Sequence, residues 1–130
     1  MTDEELLTAF EAGEEPAGGF HHAQHVRVAW LYLRQLPLPG ALDRFTTELK
    51  RFAERQGAPQ LYHETITVAF VLLINERLAE NRAATWAEFA ARYPDLLAWK
   101  PSILDRYYQP DTLWSDRARR TFVMPDRVMP

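Results

Sequence analysis

From residue 66 to residue 74 the chain reads Ile-Thr-Val-Ala-Phe-Val-Leu-Leu-Ile, with Thr67 as its one polar side chain. A helix over 62–78, starting near Gln60, is therefore apolar nearly all round, and such a helix needs others packed about it. It is the expected centre of the fold. Ahead of it, Thr2 and Glu5 form a capping-box pair before Leu6, Leu7 and Phe10, predicting a helix over 3–12 that Gly13 ends. Residues 14–19, with Pro16 and a glycine pair, read as a loop. Over 21–35, residues set 100° apart place Gln24, Arg27, Arg34 and Gln35 on one side. His22, His25, Val26, Ala29 and Leu33 fall on the other, with His21 at the edge of that apolar arc.

Pro37 and Pro39 mark 36–40 as a tight link to a helix over 41–56, which buries Leu42, Phe45, Leu49 and Phe52 at helical spacing. Beyond the central helix, Thr85 and Glu88 make a second capping box for a short helix to Arg92, which Pro94 and Asp95 break. Residues 96–99 read as a hydrophobic connection, Pro101 as the first position of a short helix to about 108, and Pro110 as the start of one or two more turns. The tail over 121–130 is expected to lie extended across the bundle on Phe122, Val123 and Met124. No repeat or hairpin signal interrupts the pattern. The expected fold is all-α: one domain over 1–130, a compact bundle of four main helices with short C-terminal helices and an extended tail.

Composition narrows the functional classes. A net charge of -3 with 25% charged residues argues against a nucleic-acid surface built on bulk positive charge. The absence of cysteine excludes disulfides, thiolate metal sites and a cysteine nucleophile, and suits a cytoplasmic protein. The acidic start, residues 1–7, does not read as a signal peptide, and the central apolar run falls short of the roughly 20 residues of a membrane span. No glycine-rich phosphate loop follows a strand.

The candidate chemistry lies in histidine. Of four in the chain, three fall within residues 21–25 and the fourth, His63, opens the central helix beside Glu64. Two imidazoles at i and i+3 share a helix face about 5–6 Å apart, and a third from a neighbouring antiparallel helix completes a facial triad with open positions. His22, His25 and His63 fit this pattern; His21 paired with His25 competes on spacing. Glu64 then serves as a fourth ligand or as the general base on metal-bound water. The expectation is a divalent metal, zinc, iron, copper or nickel, acting on a small-molecule substrate by hydrolysis or O₂ chemistry.

The same residues also have plainer readings. Clustered histidines are often satisfied by backbone carbonyls, and a glutamate in a first helical turn often only answers the helix dipole. Tyr62 reads as packing, and Trp30, Tyr32, Trp86, Trp99, Tyr107, Tyr108 and Trp114 as core. Asp105 with Arg106, and Asp116 with Arg117, Arg119 and Arg120, read as solvated ion pairs. From these comes a rival class: a non-enzymatic interaction module, a homodimer, whose histidine cluster is structural or pH-responsive. A DNA-binding domain is disfavoured by the acidic balance.

The run from Phe20 through His21, His22 and His25 to Leu33, the block Tyr62-His63-Glu64-Thr65-Ile66-Thr67 and the block Ile103-Leu104-Asp105-Arg106-Tyr107-Tyr108 resemble the signature blocks of a family of short bacterial helical proteins. That resemblance covers nearly the whole chain and brings no activity with it. It implies that Phe-x-His-x-x-His is the family spacing, matching Phe20, His22 and His25 and favouring His22 over His21. A looser likeness, of architecture alone, is to small helical bundles of the DinB type that hold a metal with three histidines, whose motif this sequence does not match.

Overall fold

Four long helices carry the core: α1 (Asp3–Ala12), α2 (His22–Gln35), α3 (Leu38–Arg55) and α4 (Glu64–Glu80). Among the described residues they are followed by four short α-helices: α5 (Trp86–Arg92), α6 (Pro94–Leu97), α7 (Pro110–Leu113) and α8 (Asp116–Arg120). The structure, a computed structural model, describes residues 1–16, 19–81 and 85–127. Gly18 of the predicted loop, the residues just past Asn81 and the last three of the predicted tail lie outside that set. Among the described residues there is no strand, only a single bridge between Trp99 and Ser102. The fold is an all-α bundle, and no described helix is long and apolar enough to cross a membrane.

The predicted central helix is central. α4 packs on α2, α3 and α8, while α1 lies across α2 and α3, and α6 rests on α2. The buried residues of α4, Ala69, Phe70, Val71, Ile74 and Leu78, meet Val26, Ala29, Trp30 and Leu33 of α2 and Phe45 and Phe52 of α3 in one hydrophobic cluster. Enclosure is incomplete, since Leu72 remains 39% exposed on the outward side. α1 begins and ends as its sequence predicts. Thr2 and Glu5 exchange both capping bonds, and Gly13 takes the left-handed conformation, φ +74°, that relieves the helix end.

Three proline positions differ from expectation. Pro39 lies inside the first turn of α3, which starts at Leu38; an amide hydrogen is not needed there, so the ring is tolerated. Pro94 stops α5 but opens α6, because its fixed φ suits a first helical position. Pro101 opens no helix. Ser102 accepts from the Leu104 amide and starts a short 3₁₀ turn at Ile103–Arg106. The expected tail strap is present: Tyr108 donates its hydroxyl to the Val123 carbonyl (2.7 Å), and the Val123 amide donates to Thr65 Oγ1 (3.1 Å). Met124 does not take part and is exposed.

Trp30 is fully buried beside Trp86 and Phe89, yet its indole N–H finds no hydrogen-bond partner among the described residues. An unmet buried donor costs about 1–3 kcal/mol, close to what the smaller phenyl ring loses in packing. Trp30→Phe is accordingly expected to move the urea midpoint little, within about 1 kcal/mol of wild type, whereas Trp30→Ala costs about 3–5 kcal/mol.

Candidate functional site

His21 stands before the first turn of α2 as its N-cap, exposed, with its backbone amide donating to Gln24 Oε1 (3.0 Å). Its ring lies against Gly19, whose φ of +92° and lack of a Cβ make room: a Cβ there would sit 2.6 Å from His21 Nε2. The ring is therefore turned to the preceding loop, away from the interior.

His22 and His25 do face inward, one turn apart on α2. Both line a small chamber of about 50 Å³, walled also by Val26, Phe45, Thr67 and Phe70 and able to hold a few water molecules. His22 Nε2–H donates to the Leu96 carbonyl (2.9 Å), and its ring packs on Phe70 (4.7 Å) and Trp99 (4.9 Å). Burial holds His22 below the ordinary histidine value, the Leu96 bond partly opposing the shift. The His25 ring meets Phe20 edge-on at 4.5 Å and has no hydrogen bond to a described residue. Burial, then the charges of His22 and His21, push it down to about 4. At neutral pH both imidazoles are uncharged.

His63 sits elsewhere in function. It is the N-cap of α4: Nδ1 accepts from the Ile66 amide (3.1 Å), and Nε2–H donates to the Leu113 carbonyl on α7 (2.7 Å). These two bonds define its tautomer and occupy both ring nitrogens. The ring is buried and meets Trp114 edge-on at 5.6 Å. Burial lowers its pKa against the Leu113 bond, with Arg119 adding to the depression.

Glu64, expected beside the metal, is engaged otherwise. Tyr62 donates its hydroxyl to Glu64 Oε1 (2.6 Å), and Lys50 Nζ lies 3.9 Å from the same oxygen. Burial and this bond raise the tyrosine, which stays protonated as a donor. Tyr62 is thus more than packing. The glutamate closes the α3–α4 seam in the first turn of α4, where the helix dipole also favours a carboxylate.

The structure thus brings together His22 and His25 but does not join His63 and Glu64 to them. Among the described residues no group of three or more histidine, aspartate and glutamate side chains is arranged to hold a metal ion. His22 and His25 share one face of α2, as their spacing predicts. His63 does not join them because it lies outside the helix as its cap, where the ring turns back onto the Ile66 amide and onto α7.

Sequence reasoning missed the pair that seats His22. Arg77 on α4 forks onto both carboxylate oxygens of Asp95 (3.0 and 2.9 Å), drawing α6 against α4 and so presenting the Leu96 carbonyl. The Arg77 bond holds Asp95 below the ordinary carboxylate value. Asp95 beside Pro94 at a helix start was the available signal.

Two tryptophans expected in the core are instead exposed. Trp99 is 39% and Trp114 52% accessible. They flank a cleft of about 220 Å³ floored by Ile66, Leu104 and Leu113. Ile66 also lines the His22–His25 chamber, so cleft and chamber lie on two sides of one residue.

No family model matches the chain, and neither a curated protein nor a solved structure is similar to it.

Proposed function

We propose that the chain is a non-enzymatic helical interaction module, cytoplasmic and self-associating, whose inward histidines are neutral fasteners of the bundle. The observation that carries this reading is His63, with both ring nitrogens consumed in joining α4 to α7. A metal triad of His22, His25 and His63 would require that ring to abandon a cap and a buried carbonyl. Each loss costs about 1 kcal/mol or more. The shared chamber of His22 and His25 is what still favours a metal-dependent enzyme acting on a small molecule, with two imidazoles and exogenous ligands on zinc, iron, copper or nickel. Exposed apolar side chains such as Leu61 and Leu72 offer the surface for a second copy. The net charge of -3 disfavours nucleic acid as a partner.

Metal content and melting temperature separate the two readings. Purified wild type, His25→Ala and His63→Ala are expected to carry only substoichiometric metal, and a chelator is expected to leave the wild-type melting temperature unchanged. Stoichiometric metal lost in both variants would overturn the proposal in favour of the enzyme. Sedimentation velocity is expected to show a dimer, and a monomer at all concentrations removes the self-association.

A further inference from the structure

Exposed tryptophan is uncommon on a bundle surface, and here two such side chains face one cleft. Both are held in place from behind. Trp99 packs on His22, which Leu96 anchors, and lies 6.5 Å from Phe70. Trp114 packs on His63, which Leu113 anchors, and Arg119 lies over its ring at 5.9 Å. Walls already immobilised lose little side-chain entropy when something binds between them. The floor is apolar: Ile66, Leu104 and Leu113. The bridge between Trp99 and Ser102 steadies the loop on one edge.

The same edge carries two opposite charges, Lys100 and Asp105. Both are exposed, and neither enters an ion pair among the described residues; Arg127 donates to the Asp105 backbone carbonyl (2.8 Å) rather than to its carboxylate. An apolar floor between aromatic walls selects a flat ring. An unused ammonium and an unused carboxylate at the rim select an anionic and a cationic group on the same molecule. The volume of about 220 Å³ falls below the roughly 300 Å³ at which pockets for drug-sized ligands begin, which limits the body to one ring or two fused ones.

We propose that the cleft between Trp99 and Trp114 is a binding site for a small zwitterionic aromatic molecule. Its ring lies between the indoles, its anionic group meets Lys100 and its cationic group meets Asp105. The site is distinct from the His22–His25 chamber and does not depend on whether the chain self-associates.

Isothermal titration of the full chain tests this with four probes: L-phenylalanine, phenylacetate, tyramine and L-norleucine. L-Phenylalanine is expected to bind with a dissociation constant of about 1 mM or below, at least about tenfold tighter than the other three, since each removed charge or ring deletes one contact. Lys100→Ala should weaken phenylalanine and phenylacetate while leaving tyramine unchanged. Asp105→Asn should weaken phenylalanine and tyramine while leaving phenylacetate unchanged. Both substitutions are on the surface and spare the fold, and Trp114→Phe, which keeps a ring over His63, should weaken every aromatic probe. Equal affinity for norleucine and phenylalanine, affinity unaffected by either charge substitution, or no saturable binding of any probe overturns the proposal.

Discussion

His63→Ala is expected to destabilise the protein by about 3 kcal/mol, seen as a fall of roughly 10 °C in melting temperature and an earlier urea midpoint. Three losses combine. The Ile66 amide loses the cap that Nδ1 provides, worth about 1 kcal/mol. The Leu113 carbonyl loses its donor, and the edge contact with Trp114 disappears. His63→Asn distinguishes this account from a ligand role, because an asparagine side chain caps a helix well. It is expected to recover about 1 kcal/mol of the loss while leaving Leu113 unmet. An asparagine variant as unstable as the alanine variant, with metal present in wild type, would contradict the capping account.

Acid is expected to weaken the fold between pH 6.5 and about 4, with His25 the main cause. Its folded value is near 4, whereas the unfolded chain takes up the same proton near 6.5, the ordinary histidine value. Across that window the unfolded state binds more protons, so stability falls as pH falls and the His25 contribution is exhausted near pH 4. The full difference corresponds to up to about 3 kcal/mol. His22 and His63, also depressed by burial, add to the decline in the same direction. Asp95 does not enter it, because Arg77 holds its pKa below 3.8 and its loss comes at lower pH. Besides burial, the charges of His22 and His21 act on His25 and hold its value down. Urea midpoints measured at pH 7 and pH 4.5 check this. His25→Gln should flatten the difference, and an undiminished difference in that variant would assign the decline to other groups.

The two effects touch the Trp99–Trp114 cleft as well. His22 supports one indole and His63 the other; a protonated ring keeps its Nε2–H on the carbonyl, but protonation of His63 removes the Nδ1 acceptor of the Ile66 amide and so loosens the wall at Trp114. Neutral histidines here stabilise the bundle and shape its surface through the same contacts.

Much of this molecule follows from the chain alone. The period of apolar residues on α2 and α3, the nearly unbroken apolar run of α4 and the capping pairs Thr2–Glu5 and Thr85–Glu88 determine an all-α bundle, because each depends only on residues within a few turns. The inward direction of His22 and His25 was legible for the same reason, being set by position on one helix. Where His63 and Glu64 point was decided by contacts that the helical period does not set, partly with chain neighbours and partly tertiary. A residue at a helix boundary has no helical phase to aim it, so its side chain goes to whichever neighbours the fold supplies. For His63 these are the Ile66 amide and the Leu113 carbonyl, fifty residues further on, and for Glu64 they are Tyr62 and Lys50. Trp99 and Trp114 repeat the lesson. Short turns around them leave too little chain to cover an indole, and exposure is then settled by packing between distant segments rather than by local pattern.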